Sequence, residues 1–389
     1  MKYNFDEVFD RRICGYLQPH SSAEKGKPEE TLPRWVADME FPVPPCIQEK
    51  VRETASAGSF EYSNMKSEYY TAIEKWYRRK HKYRVKEEWL IKTPGVVFAI
   101  SAAIRAFSEK GDGILIQPPV YYPFRDEILH SDRKLVTNEL QLNHDRYEID
   151  FGDFEHKIRE NNVKIFILCN PHNPVGRVYK KDELQRLGEI CARNNVIVVS
   201  DETHSDIIFP GHKHQIFAGL SKKFEQMTIT CTSPSKTFNL AGLQIANIFI
   251  ANKKLREKFA KEVAVNGYRQ LNQVGLAVSQ AAYEGGKEWL NDLTEYLESN
   301  INFVRVFIQT RLPRVRLIEP EGTYQIWLDL RGLSLNDEER EELIVRKAGL
   351  WFDSGRMYGE CGEGFERINI ACPRQSLETA FYRLEEALE

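Results

Sequence analysis

The sequence predicts an α/β protein in which a large domain, with a mostly parallel sheet between helices, is joined to a smaller α+β domain. Two observations carry this prediction. Between about residues 90 and 250, short apolar runs alternate with helix-like segments, and runs without an alternating polar face are typical of strands covered on both sides. The chain also has 389 residues, more than a single ordinary core accommodates.

Four apolar runs predict the central strands of the large domain. They span residues 113–117, 164–169, 196–199 and 227–231. Between the second and third runs, residues 182–194 space their apolar side chains as an amphipathic helix does. Polar residues follow the ends of these runs. Because ligands of parallel sheets bind outside the carboxyl ends of the strands, we expect the functional site at that edge.

The last third of the chain predicts the smaller domain. Residues 273–311 have a helical pattern, which Gly285 and Gly286 interrupt. The strand-like segments that follow are residues 315–318, 324–330 and 367–371, and the helical ones are residues 337–347 and 376–388. We expect both chain ends to form this domain, with boundaries that give segments 1–45, 46–278 and 279–389. The middle segment is then the large domain.

The composition excludes several classes of function. The formal net charge is −3, from 54 basic and 57 acidic residues, which argues against nucleic acid or an anionic membrane surface as a partner. No apolar run approaches the ~20 residues that span a bilayer. The seven cysteines form no CxxC pair, which predicts reduced thiols and a cytoplasmic protein. His212 and His214 stand close together, but no cysteine or histidine follows at ligand spacing, so we expect no metal.

Lys236 follows the predicted strand 227–231 within the segment TSPSKTFNLAG. A lysine amine at the ligand edge of a sheet can form an imine with an aldehyde cofactor. Ser233 and Ser235 beside it can donate hydroxyl hydrogen bonds to an anion. Taken alone, this segment is more typical of a surface loop with a solvated lysine.

Two further polar residues follow strand ends. Asp201 closes the run VIVVSD, where a carboxylate can hold the N–H of a pyridinium ring and keep that ring cationic. The same position suits a helix N-cap or a metal ligand. Asn173 lies in the turn NPHNPVG, which by itself indicates only a loop. Its amide can bond a phenolic oxygen of a cofactor.

Three other positions have chemistry that suits a cofactor or substrate. Val96 and Val97 open a predicted helix after Gly95, and main-chain N–H groups at a helix start bind phosphate well. Tyr121 can stack on a flat ring, although ordinary packing explains it equally well. Arg374 follows the predicted strand 367–371 and can bind a carboxylate with two parallel hydrogen bonds, although a lone arginine is more often a surface residue.

Taken together and in this order, these residues resemble the site of fold-type I pyridoxal-phosphate (PLP) enzymes of the aspartate aminotransferase superfamily. The resemblance covers essentially the whole chain. It looks closest to the cystathionine β-lyase / cysteine-S-conjugate β-lyase branch. The strings that carry it are WVADMEFPVPP, TPGVV, PPVYYPF, NPHNPVGRV, SDETHSD, SPSKTFNLAGL, EGTY and RINIACPR.

The resemblance implies a role for each residue. Lys236 is the Schiff-base lysine and, with Tyr121, a catalytic residue; Asp201 pairs with the pyridine nitrogen and Asn173 with the ring oxygen. Tyr121 also stacks on the ring. The phosphate is expected to meet main-chain amides and hydroxyl groups, from Val96, Val97, Ser233 and Ser235.

The resemblance also implies a symmetric homodimer with shared sites, because Tyr62 looks like the tyrosine that reaches the neighbouring subunit's phosphate. Arg374 is expected to bind the α-carboxylate of an amino-acid substrate, with Ala37 and Asp38 nearby. Two positions depart from many aminotransferases. Gln244 stands where an arginine binds phosphate, which supports the lyase branch. His204 stands where a tyrosine often bonds the ring oxygen, so that bond stays open.

By resemblance, the function is a PLP-dependent carbon–sulfur β-lyase that eliminates a thiol from cystathionine or a cysteine S-conjugate and gives pyruvate and ammonia. A class I/II aminotransferase shares the early steps and is the first alternative. A PLP-binding regulator that acts through a transcription-factor partner is an alternative of another class. Turnover with and without a 2-oxo acid distinguishes the two enzymes.

Overall fold

The computed structural model describes residues 2–8, 26–28 and 30–389. The strands, β1 to β15, are Leu32–Pro33, Leu90–Thr93, Gly113–Ile116, Lys134–Thr137, Gln141–Asn143, Arg146–Glu148, Val163–Cys169, Ile197–Asp201, Thr228–Thr232, Ala246–Phe249, Arg316–Ile318, Gln325–Asp329, Leu350–Trp351, Asp353–Ser354 and Phe365–Asn369. The helices, α1 to α13, are Pro45–Ser56, Ser67–His81, Val96–Phe107, Pro123–His130, Phe151–Glu160, Lys181–Arg193, Lys222–Glu225, Pro234–Thr237, Lys253–Val265, Gln273–Gly285, Lys287–Arg311, Asp337–Glu341 and Arg374–Leu388. Glu342–Lys347 continues α12 as a π-helix.

The large sheet has seven strands in the order β2-β10-β9-β8-β7-β3-β4. Strands β3, β4, β7, β8 and β9 run parallel, and β10 is antiparallel to both β9 and β2. The four predicted strands are β3, β7, β8 and β9. The α/β class with a mostly parallel sheet is therefore confirmed. The prediction does not include the three other strands of this sheet, β2, β4 and β10.

Strand β7 explains why the apolar runs in this sheet are continuous. Phe166 and Leu168 belong to a core on one face of the sheet, which α6 covers with Leu184 and Leu187. Ile165 and Ile167 belong to a second core, on the face covered by α3. Because side chains alternate between the two faces of a strand, burial on both sides requires an apolar residue at every position.

A second sheet has the order β11-β12-β15-β14, and its neighbouring strands are antiparallel. The N-terminal part of the chain meets it, because the N–H of Asn369 on β15 donates to the main-chain oxygen of Arg34 (3.0 Å). Strand β1 also forms a separate two-stranded sheet with β13. The ring of Phe5 packs against Trp289 and Tyr296 on α11. The two chain ends thus lie together, while division of the chain into segments 1–45, 46–278 and 279–389 stays a prediction.

The predicted break in the long helical pattern is confirmed, since α10 ends at Gly285 and α11 begins at Lys287. Close packing requires glycine there, because a Cβ on Gly286 would lie 2.4 Å from the ring of Phe238. In the part of the chain that the structure describes, none of the helices combines the length and apolarity that crossing a bilayer requires.

Three strand ends meet at the carboxyl edge of the large sheet. Cys169, the last residue of β7, pairs with Asp201 at the end of β8, and Asp201 pairs with Cys231 on β9. The loops that follow these strands therefore begin side by side. Helix α3 starts close to them, because β2 leads into it and pairs with β10.

Candidate active site

A cavity of about 220 Å³ opens at this edge of the large sheet. Most of the predicted site residues line it, namely Ala37, Val96, Val97, Tyr121, Asn173, Asp201, His204, Ser233, Ser235 and Lys236. Residues without a predicted cofactor contact also line it, among them Cys169, Thr203 and Gln244. The fold thus brings together side chains from the ends of several strands and from the start of α3.

Lys236 lies on the short helix α8, directly after β9. The hydroxyl of Ser233 caps this helix by accepting a hydrogen bond from the N–H of Ser235 (3.0 Å) and donates to the main-chain oxygen of Ile245 (2.8 Å). The Nζ of Lys236 donates to the main-chain oxygen of Ala37. The helix and the N-terminal segment together hold the amine at the cavity.

Burial lowers the pKa of Lys236 to about 8, although the charges of Asp38 and Asp201 oppose the shift. The charge of Arg367 acts in the same direction as burial. An amine with this pKa has a larger neutral fraction at pH 7 than an ordinary lysine has, and the neutral form is the nucleophile. Lys236 is therefore suited to attack an aldehyde.

Asp201 and His204 line the same cavity, and their pKa values are shifted in opposite directions. Burial raises the pKa of Asp201 to about 6, while hydrogen bonds from the N–H (3.0 Å) and hydroxyl of Thr203 oppose this shift. Burial, together with the charges of Lys236 and Arg367, lowers the pKa of His204 to about 3. At neutral pH the site thus presents a carboxylate and a neutral imidazole.

Tyr121 and Asn173 form one wall of the cavity, and the N–H of Tyr121 donates to the main-chain oxygen of Asn173 (3.0 Å). Burial raises the pKa of Tyr121 to about 12, so this side chain stays a phenol and remains a hydrogen donor. The side-chain oxygen of Asn173 accepts from Arg367 (3.2 Å). Because arginine has only donors, this bond fixes which end of the amide is oxygen.

The start of α3 also lines the cavity. Gly95 is the N-cap residue of this helix, and no side chain caps the N-terminal end. Main-chain N–H groups of the first helical turn have no partner within the helix, and the helix dipole favours an anion there. Ser233 and Ser235 line the same cavity. This end is suited to a phosphate group.

Three predicted residues do not line the cavity. Tyr62 is 89% exposed and lines a neighbouring cavity, whose wall shares Pro94 and Gln244 with the first. Asp38 is close enough for its charge to raise the pKa of Lys236. Arg374 lies elsewhere, against α11.

The structure places Arg374 away from the cavity. It is the first residue of α13 and donates hydrogen bonds to Asn300 (2.9 Å) and Ser299 (2.8 Å) on α11, with its guanidinium over the ring of Phe303. The arginine beside the cavity is Arg367, which the sequence prediction does not include as a site residue: it does not line the cavity but donates to Asn173, which does. The prediction began the strand at residue 367, whereas β15 is Phe365–Asn369, so Arg367 lies in the middle of a buried strand.

Arg367 is 3% exposed and donates hydrogen bonds to Asn173, to Asp353 and to the main-chain oxygen of Trp35. Among the described residues, its Nε has no hydrogen-bond partner. One sequence signal could have revealed it: Arg367 falls within a predicted strand of a packed sheet, where an arginine is rarely buried without a specific partner. A buried guanidinium with an unused donor is well suited to a carboxylate.

This set of chemical groups fits PLP. An amine is present for the aldehyde, a carboxylate for the ring N–H, an amide for the ring oxygen and a helix start for the phosphate. No described residue is left with chemistry that conflicts with this arrangement: Cys169, for instance, stays a thiol because burial raises its pKa.

Comparison with known proteins agrees with this geometry. The family model "Aminotransferase class I and II" matches residues 36–384. The chain belongs to this family. Cystathionine beta-lyase PatB of Bacillus subtilis is 39% identical over 99% of this chain and 100% of the relative. Protein MalY of Escherichia coli is 30% identical, with 97% of this chain and 96% of the relative covered. Within the family, the resemblance to the cystathionine β-lyase branch is confirmed.

Solved structures of family members match the whole fold. A PLP-bound putative aminotransferase from Clostridium difficile 630 superposes with a TM-score of 0.98 and 41% identity, covering 100% of both chains. Cystalysin from Treponema denticola, whose structure contains PLP, superposes with a TM-score of 0.96 and 36% identity, covering 100% of this chain and 99% of the other.

The lowered pKa of Lys236 has a measurable consequence. We expect the rate at which the cofactor-free protein binds PLP covalently to rise with pH and level off above about pH 8, because the protonated amine has no free electron pair. Stopped-flow absorbance of the cofactor after mixing, between about pH 6 and pH 10, measures this rate.

Lys92 provides the control, because burial also lowers its pKa, to about 7. It does not line the cavity, so a Lys92→Arg variant should keep the same profile. A rate that continues to rise toward the ordinary lysine pKa of about 10.4 would contradict the assignment.

Proposed function

We propose that this protein is a PLP-dependent carbon–sulfur β-lyase that eliminates a thiol from cystathionine or a cysteine S-conjugate and releases pyruvate and ammonia. The observation that carries the proposal is a complete PLP-type site, with Lys236 and Asp201 in one cavity, in a chain that matches a cystathionine beta-lyase over its whole length. Its substrate is an amino acid. A cytoplasmic location stays a prediction; the described cysteines are free thiols.

Bound PLP supplies an electron sink that stabilises negative charge at the Cα atom of the substrate. Asp201 holds the ring N–H and stays ionised at neutral pH because its pKa is about 6. Lys236 removes the Cα proton, and its pKa of about 8 suits a general base near neutral pH. The Cα–H electron pair then drives loss of the Cβ sulfur.

The thiol leaves with the electron pair of the carbon–sulfur bond and takes a proton. Tyr121 and Lys236 are the two groups in the cavity that can donate it, and both are hydrogen donors at neutral pH. The released 2-aminoacrylate takes up water and yields pyruvate and ammonia. Apart from water, elimination needs no second substrate and no oxidant. Transamination differs because it needs a 2-oxo acid.

Arg367 is proposed to bind the substrate α-carboxylate, in place of Arg374. Its guanidinium is held by Asp353 and Asn173, and its Nε is the donor that the described residues leave unused. The link to Asn173 aligns it with a residue that lines the cavity. A substrate bound to Arg367 would therefore lie beside the amine of Lys236.

An aminotransferase is the second candidate, because the family description and the Clostridium difficile relative both carry that name. We expect purified, PLP-loaded protein to release pyruvate, ammonia and thiol from L-cystathionine without any 2-oxo acid. A Lys236→Ala variant should lose nearly all of this turnover, by roughly 10⁴-fold or more, because it lacks both the attachment amine and the base.

The assay follows pyruvate with lactate dehydrogenase and thiol with a chromogenic disulfide, in parallel samples with and without 2-oxoglutarate. Turnover that requires the 2-oxo acid would instead establish an aminotransferase. A loaded protein that is inactive in both samples would refute both candidate enzymes for this substrate and favour the regulatory alternative.

The two arginines can be separated by a matched pair of variants. Arg367→Lys keeps a positive charge but loses the Nε donor, so KM for cystathionine should rise roughly tenfold or more, with a smaller effect on kcat. Arg374→Lys should change KM by less than about twofold, because its partners are on α11. Steady-state kinetics of the two variants measures this difference. A larger rise in KM for Arg374→Lys than for Arg367→Lys would assign carboxylate binding to Arg374 instead.

Shared sites in a symmetric homodimer are part of the proposal. Phe60 and Tyr62 are 65% and 89% exposed, on a surface that adjoins the phosphate end of the cavity through Pro94 and Gln244. Exposed aromatic side chains next to a ligand site suit an interface that completes the site. In a C2 dimer the same surface of each subunit would cover the other.

Mixing two impaired variants tests this arrangement. A Tyr62→Ala subunit paired with a Lys236→Ala subunit should contain one site with both side chains intact, because Tyr62 acts on the partner's site. Complete subunit exchange should then restore about a quarter of wild-type activity, since half of the dimers are mixed and each has one intact site. Activity no higher than that of Tyr62→Ala diluted with buffer would contradict the shared site, as would an active monomer on a sizing column.

A further inference from the structure

Asp206 is a buried carboxylate in the loop that follows β8, and it is 5% exposed. It accepts hydrogen bonds from the hydroxyl of Thr237 (2.9 Å), from the indole N–H of Trp76 (3.1 Å) and from Nε2 of His81 (2.9 Å). Trp76 and His81 are on α2, far away in the sequence. The carboxylate thus joins α2 to α8, the helix that carries Lys236.

The hydrogen bonds indicate that Asp206 is ionised. Burial opposes ionisation, but the hydrogen bond from His81 and the positive charge of Lys80 outweigh it and hold the pKa of Asp206 below its usual range. Burial lowers the pKa of His81, so its imidazole is neutral at neutral pH and contributes through the hydrogen bond. The side chain of His81 is itself 3% exposed, so water screens this pair little. Hydrogen bonds to a buried anion are stronger than neutral ones, which makes the contact a firm anchor.

Thr237, the residue next to Lys236, is held by this carboxylate through its hydroxyl hydrogen bond. Helix α8 has only four residues, Pro234–Thr237, so no further helical turns hold its direction. Thr237 is 2% exposed and its hydroxyl points away from the cavity toward Asp206. In so short a helix, holding one residue holds the Cα of its neighbour, and the lysine side chain extends from there into the cavity.

Asp206 and His81 have no direct access to a ligand in the cavity. Both line a different cavity, together with Lys80 and His214, and neither lines the one that contains Lys236. Of the three side chains that donate to Asp206, Thr237 is the one adjacent to Lys236 in the chain, so this bond is the direct link between the carboxylate and the lysine.

We infer that Asp206 is a positioning residue, which directs the amine of Lys236 through the hydroxyl of Thr237. The inference rests on the proposed role of Lys236 as the PLP-binding amine. It adds a residue outside the cavity to the machinery that determines how fast the cofactor attaches. A displacement of a reacting group by about 1 Å can cost roughly 100-fold in rate, so an anchor at this place has a measurable effect.

Thr237→Val tests the inference, because valine keeps the size and branching of threonine and removes only the hydroxyl. We expect covalent attachment of PLP, followed by absorbance after mixing with cofactor-free protein, to slow by roughly tenfold. The kcat for thiol elimination should fall by a similar factor with less than about a twofold change in KM. Thr237→Ser keeps the hydroxyl and should restore both rates to within about twofold of wild type.

Thr228→Val is the matched control for general damage to the core. The hydroxyl of Thr228 is also buried and donates to the main-chain oxygen of Phe224 (2.6 Å), but it lies at the start of β9, away from Lys236. We expect this variant to lose stability in urea as Thr237→Val does and to attach PLP at the wild-type rate. Equal slowing in both valine variants, or no rescue by Thr237→Ser, would overturn the positioning role.

The Lys236→Ala variant distinguishes a failure of the inference about Asp206 from a failure of the proposed role of Lys236. If Thr237→Val attaches PLP at the wild-type rate while Lys236→Ala attaches none, the inference about Asp206 fails and the proposed function stands. If Lys236→Ala still attaches the cofactor covalently, the proposed role of Lys236 fails, and the inference fails with it.

Discussion

The guanidinium of Arg367 joins three segments of the chain at the cavity, and the shape of the site depends on this contact. It donates to Asn173 beside the large sheet, to Asp353 on β14 and to the main chain at Trp35. Removal of one partner from a buried ion pair costs about 3–5 kcal/mol, because the remaining charge has no water around it. The second sheet and the N-terminal segment are thus held against the large sheet at the place where the ligand binds.

Burial also determines the protonation of the side chains around this contact. It lowers the pKa of Lys236 and His204 and raises that of Asp201 and Tyr121. These shifts have opposite signs but one cause, since desolvation disfavours the charged form of every group. The site consequently holds a neutral imidazole, a phenol and a lysine of reduced basicity within one small cavity, and retains the carboxylate of Asp201.

Much of this architecture could be predicted from the sequence, because it depends on local patterns. The continuous apolar runs identified β3, β7, β8 and β9, and the residues after them line the cavity. Strands β2 and β4 form the two edges of the sheet, and a lysine, Lys92 or Lys134, shortens the apolar run in each of them; Asn247 does the same in β10.

The remaining features depend on contacts between distant segments. A shift of two residues in the start of β15 made Arg367 look like the beginning of a strand and drew attention to Arg374 instead. The contact between Asp206 and Trp76 joins residues 130 positions apart, and local periodicity does not indicate such a pair. The exposed position of Tyr62 likewise has no local signal, since its proposed function depends on a second subunit.

The hydrogen bond from Ser233 to Ile245 closes the base of the loop that carries Lys236. Strand β10 returns antiparallel to β9, and the hydroxyl of Thr232 donates to the main-chain oxygen of Asn247 beside that bond (2.8 Å). The two ends of the loop are therefore fixed to each other by the sheet itself. Loss of conformational freedom in this loop occurs when the protein folds, so little of that entropic cost remains when the cofactor binds.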